Sequence, residues 1–171
     1  MKNKARIAGV FYLITFVAGS LELLLPGNRL AVSLIASVAY IAVTLLFYQI
    51  FRPVEARVSL LAAFFSLAGI IVGLLRSFDL APVQINPLGF FGFYCLLIGY
   101  LIIRSTFLPR VLGVLMAIGG LSWLTFFSPS LTSQLNPYNL APGIFGEGVL
   151  TLWLLVIGLN EQRWNEQAGV K

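Results

Sequence analysis

The chain has 171 residues, of which 59% are hydrophobic and only 10% charged, with a net charge of +5. A water-soluble domain carries roughly a quarter of its residues as charges, so this chain cannot cover a globule with polar groups and must be covered mostly by lipid. Its basic residues are spread singly along the chain with no basic face, which argues against a nucleic-acid partner.

Taken in order, the chain reads as six apolar rods. The first helix is expected over residues 5–25, after Lys2, Lys4 and Arg6. Val17-Ala18-Gly19 imitates a secretory cleavage site, but the apolar run continues past it, so the segment reads as an uncleaved first helix. Pro26-Gly27-Asn28 makes a turn, and a second helix is expected over 30–51. Arg52-Pro53-Val54-Glu55-Ala56-Arg57 is a short loop before a third helix at 58–78. Asp79 to Pro87 form the next loop, punctuated by Pro82 and Pro87. The fourth helix (88–103) and the fifth (111–127) make a hairpin, with Arg104, Pro109 and Arg110 at its bend. Ser128 to Pro142 read as the longest loop, 143–159 as the sixth helix, and 160–171 as a polar tail.

The cations orient these rods. Lys2, Lys4, Arg6, Arg52, Arg57, Arg104, Arg110, Arg163 and Lys171 fall on one side, nine in all, against Arg29 and Arg76 on the other. That split puts both termini and the anchors Arg52, Arg57, Arg104 and Arg110 in the cytoplasm. Backbone groups in hydrocarbon must be satisfied within each segment, so the spans are helices; no period-2 alternation marks a barrel. The expectation is an all-α, six-helix transmembrane bundle, one integral membrane domain over 1–171. The last three spans hold only 16 or 17 apolar residues, about 25 Å at ~1.5 Å per residue, short of a ~30 Å hydrocarbon core. Three helices open alike (RIAGV, RVSLL, RVLGV), and QINP at 84–87 is echoed by QLNP at 134–137, a pattern compatible with three repeated helical hairpins.

Few residues can carry chemistry. There is no histidine, which removes His-ligated zinc and haem, Ser–His and Cys–His pairs, and histidine proton relays. The single cysteine, Cys95, cannot form an intramolecular disulfide and reads as a small core residue. No Walker loop, GxGxxG after a strand, HExxH or GxSxG occurs, so no cofactor and no metal are expected. Ionisable groups inside spans are costly and are functional candidates by default: here Glu22, Arg76 and Glu147, all near one depth, where they could form one cluster. Glu147 sits between Gly146 and Gly148 in what reads as the first turn of the last span, where the helix dipole favours a carboxylate. Tyr94 falls deep enough that its phenol needs a partner. Gly69 and Gly73, and Gly92 and Gly99, read as helix-packing positions. Trp123, Tyr138 and Trp153 read as interfacial or packing residues.

RIAGVFYLITFVAG, FYCLLIGYLIIRSTFLPRVLGVLMAIGGL and GEGVLTLWLLVIGL, in that order, resemble the bacterial membrane family known as domain of unknown function 4386. The resemblance covers residues 6–159 and implies a small multi-spanning bacterial inner-membrane protein, with no reaction, cofactor or ligand attached. Glu147 and the Arg104, Pro109 and Arg110 connector are among the matching positions. Family members commonly carry histidine where this chain has Tyr94, so any role of that imidazole falls to the phenol here or is absent.

Three readings follow. One is a small-solute or proton-coupled carrier or binding protein. The second is a non-catalytic scaffold that binds a partner or assembles as a homo-oligomer. The third, a lipid-acting enzyme, has no visible nucleophile–base pair or metal set. A cavity reaching Glu147 would favour the first, and a closed core the second.

Overall fold

The computed structural model describes residues 1–24, 29–80 and 85–170, with the side chains of residues 20, 22–24 and 29 outside the description. The described residues form helices and no strand: the α-helices α1 (Lys2–Leu24), α2 (Arg29–Phe51), α3 (Ala56–Ser77), α4 (Pro87–Arg104), α5 (Arg110–Leu124), α6 (Pro129–Leu135), α7 (Ala141–Val156) and α8 (Glu161–Ala168), with short 3-10 turns at Thr125–Phe127 and Tyr138–Leu140. Among the described residues, five stretches are long and apolar enough to cross a membrane: Leu30–Phe51, Ala56–Ser77, Pro87–Arg104, Arg110–Phe127 and Tyr138–Val156. The sixth rod, α1, is 23 residues long.

Helix ends follow local chemistry. Asn86 caps α4 by accepting from the Leu88 N–H at 3.0 Å, with Pro87 at the first helical position. At the end of α3, Asp79 adopts φ 56°, and the Asp79 and Leu80 N–H groups donate back to Arg76 and Leu75 at 3.1 and 2.8 Å. That is the left-handed closure that satisfies the last carbonyls of a helix.

The long helices pack in a closed ring, α1–α2–α3–α4–α5–α7, with α7 returning to α1. The α4–α5 pair is the tightest seam, because glycines face each other across it. A Cβ at Gly92 would lie 2.9 Å from the Gly120 carbonyl oxygen, and one at Gly99 would lie 2.7 Å from that of Gly113. Both obstacles are backbone, so neither can swing aside. Down the α2–α3 seam hydroxyls pair instead: Ser33 with Ser77 at 2.7 Å and Thr44 with Ser66 at 2.6 Å.

The ring is plugged at one end. Phe47, Ile50 and Phe51 of α2 meet Leu101 and Ile102 of α4, Leu112 of α5 and Leu154 of α7 in a fully buried core. Arg52, Arg57, Arg104 and Arg110 are exposed at the helix ends on this side. α8 closes this end: Trp164 Nε1 donates to the Ile50 carbonyl at 2.9 Å, the Asn160 N–H to the Phe107 carbonyl at 3.1 Å, and the Thr106 N–H to Gln167 Oε1 at 3.0 Å. The Met1 amino group pairs with Glu161 of the same helix. Around the ring the outward faces are apolar. Val38 (66% exposed), Phe64 (62%) and Leu121 (61%) are left uncovered on separate helices, a belt fitted to hydrocarbon rather than water.

Two expectations are corrected here. The 128–142 loop and the 160–171 tail each contain a helix, α6 and α8, started by Ser128 with Pro129 and by Asn160 accepting from Arg163 N–H. The QINP and QLNP motifs do not play one role. Asn86-Pro87 opens α4 directly, whereas Asn136 ends α6 and a 3-10 turn (Tyr138–Leu140) intervenes before α7. Gln84 lies outside the described residues.

Candidate functional site

The site is built on α7. That helix begins at Ala141, not 143, so Glu147 stands in its second turn, about 9 Å from the helix start rather than at its mouth. Two glycines let neighbours close on it. A Cβ at Gly146 would lie 2.6 Å from the Leu115 carbonyl oxygen of α5, and a methyl at Gly143 would overlap the indole ring of Trp123. On the other side, Gly9 brings α1 against α7, where a Cβ would lie 2.9 Å from the Leu155 nitrogen. One turn along α1 from this contact, Tyr12 reaches the same carboxyl group.

Glu147 is 8% exposed and receives donors from three helices. Tyr12 Oη donates to Oε2 at 2.7 Å, and Trp123 Nε1 donates to Oε1 at 2.6 Å. Cys95 Sγ lies 3.5 Å from Oε1, a weak thiol contact. All three donors are neutral side chains. A buried carboxyl group is tolerated when it is hydrogen-bonded, and these contacts use three of its roughly four acceptor directions. Behind Tyr12 lies an aromatic group: Tyr40 Oη is 3.4 Å from Tyr12 Oη, and the Tyr40 ring stands 5.9 Å from that of Tyr94. The Tyr94 hydroxyl is buried with no hydrogen-bond partner among the described residues.

The other end of the ring, away from the core plug, opens into a cavity of about 530 Å³. Ile70, Leu88 and Phe91 contribute apolar wall; Ser33 and Tyr40 contribute hydroxyls; Trp123 and Glu147 lie along its lining. Among the described lining residues, Glu147 is the one carboxyl group and there is no lysine or arginine. The volume falls within the range of small-molecule sites, whose walls are mostly apolar with a few placed polar groups.

The residues singled out from sequence are thus partly assembled. Glu147 is at the centre and Tyr94 is close by, within its aromatic group. Arg76 is exposed near the end of α3 and is not among the partners of Glu147, so the expected cluster does not form through Arg76. Its position, second from the end of the helix, lets its long side chain reach away from the bundle. Glu22 lies on α1, but its side chain is outside the described residues. Gly69 and Gly73 line the cavity; a Cβ at Gly69 would touch the Phe91 ring at 3.1 Å, and one at Gly73 would meet only Pro87, at 3.9 Å. Gly92 and Gly99 hold the α4–α5 seam. Gly148 faces open space, so of the pair flanking Glu147 only Gly146 serves close approach. Tyr12 and Trp123 were not read as partners of the carboxylate. The available signals were the small-residue stripe Ala5, Ala8 and Gly9 leading to Tyr12, and the donor-only indole of Trp123, which needs an acceptor when buried.

A helical ring with apolar outer faces and several membrane-length helices has the architecture of a membrane protein. Residues 84–158, from the start of α4 through α7, match the family model described as "Domain of unknown function (DUF4386)". An uncharacterized protein of Archaeoglobus fulgidus is 30% identical over 127 residues, covering 69% of this chain and 76% of that protein. The chain belongs to the domain of unknown function 4386 family. No solved structure matches it significantly.

Proposed function

We propose that this protein is a six-span membrane carrier or binding protein for a small solute, with the cavity as its binding site and Glu147 as the group that fixes the solute's polar end. The carrying observation is a cavity of about 530 Å³ that reaches a buried carboxyl group already oriented by Tyr12 and Trp123. A scaffold has no use for such a space, and a closed core would have removed it. The arginine-rich, core-plugged end and both termini face the cytoplasm of a bacterial inner membrane under this reading, and the cavity faces the opposite side. Coupling to protons, where solute moves, runs through Glu147, the one carboxyl group in the described lining.

The test is thermal unfolding of purified protein against a panel of small amphipathic solutes. A solute at one hundred times its Kd adds about 2.7 kcal/mol, a shift of several degrees. Gly73→Leu fills the cavity from a position with open space beside it, and it is expected to erase the shift. No stabilisation across the panel, or a shift that survives Gly73→Leu, contradicts the reading.

A further inference from the structure

We infer that the cavity is built for a lipophilic organic cation: an ammonium group on a small apolar or aromatic body. This rests on the binding reading above and names the ligand class for the same site. The polar centre of the lining is one carboxyl group, and the donors it already holds are neutral: the Tyr12 phenol, the Trp123 indole and the Cys95 thiol. None of them balances a negative charge. No basic side chain is among the described lining residues, and Arg76, the nearest candidate by sequence, is exposed. A carboxylate in apolar surroundings is stabilised by a cation within reach far more than by neutral donors alone.

The walls fit the rest of such a ligand. Tyr40 and Phe91 pack as a tilted pair, 4.7 Å between ring centroids, and both line the cavity, as does Trp123. Aromatic faces attract a desolvated ammonium and also accept an apolar body. Oε2 of Glu147 accepts from Tyr12 at 2.7 Å, and the neutral Tyr40 phenol, 3.4 Å from the Tyr12 hydroxyl, lies beside the same carboxyl group on the cavity wall, where an N–H donor with a full charge outcompetes it. Among the described residues an anionic ligand finds no positive partner there, and a second carboxylate beside Glu147 would be repelled. A neutral alcohol gains the same walls and a weaker bond.

Three probes of one shape separate these cases: 2-phenylethylammonium, 2-phenylethanol and 3-phenylpropanoate, titrated at neutral pH into the full chain in nanodiscs. The expected order is ammonium tighter than alcohol by roughly tenfold or more, with no measurable binding of the acid. Glu147→Gln is expected to bring ammonium affinity down to that of the alcohol while alcohol binding persists, which also reports that the variant is folded. Alcohol binding as tight as ammonium in the native chain, lost in Gly73→Leu, overturns the cation class and leaves the cavity reading standing. Tighter binding of the acid overturns the class in the same way. No binding of any probe, or binding indifferent to Gly73→Leu, overturns both.

Discussion

Gly143→Ala adds one methyl group where the indole ring of Trp123 lies. The ring is boxed in: Trp123 is buried, its Nε1 is committed to Glu147 at 2.6 Å, and Phe126 stands 5.8 Å from it. The methyl must displace the indole, which breaks the bond to the carboxyl group. Overpacking costs about 1–3 kcal/mol. Loss of a hydrogen bond to a charged acceptor costs about 1.5–3 kcal/mol more. Replacing glycine by alanine inside a helix returns about 1 kcal/mol. The net expectation is a destabilisation of about 1.5–5 kcal/mol from a single carbon. In a Trp123→Ala background the obstacle and the bond are both gone, so Gly143→Ala is expected to be neutral or stabilising within about 1 kcal/mol. The assay is a double-mutant cycle by reversible unfolding in mixed micelles. Equal effects of Gly143→Ala in the two backgrounds would refute the packing of Trp123 over α7.

Three more outcomes follow from the same geometry. Gly99→Ala and Gly120→Ala push a methyl against backbone carbonyls across the α4–α5 seam and are expected to cost about 1–3 kcal/mol each, whereas Gly148→Ala, facing open space, is expected to be neutral or stabilising by up to about 1 kcal/mol in the same unfolding assay. Trp164→Phe removes the donor to the Ile50 carbonyl; α8 is expected to loosen, raising amide exchange in 161–168 while leaving the α4–α5 seam protected. Ser66→Ala and Thr44→Val are expected to cost about 0.6 kcal/mol each, with the double variant costing less than the sum, because the two hydroxyls satisfy each other at 2.6 Å.

The long elements were legible because membrane helices announce themselves locally. Uncharged length, Pro and Gly at the turns, and arginine at the bends place α2, α3 and α4 within about two residues of the boundaries observed. α6 and α8 were missed where polarity outweighed capping chemistry: Ser128-Pro129 and Asn160-Glu161 are helix-start signals inside segments too polar to read as spans. The site was legible only at its ionisable member. Glu147 stands out as a charge in an apolar run, but Tyr12 and Trp123 become its partners only when α7 closes the ring on α1 and α5. That non-local closure leaves no spacing to read. Depth alone grouped Arg76 with Glu147; direction around the helix and distance from its end decide contact, and hydropathy reports neither.

The most direct measurement is sidedness of access to the cavity. In a Cys95→Ala background, Ser37→Cys places a thiol in the cavity lining and Thr106→Cys one at the arginine end, where Thr106 is exposed. A small membrane-impermeant thiosulfonate is expected to modify Ser37→Cys in intact spheroplasts and Thr106→Cys only in inverted vesicles. Modification of Ser37→Cys from the cytoplasmic side, or from neither side, would contradict a cavity that opens away from the arginines.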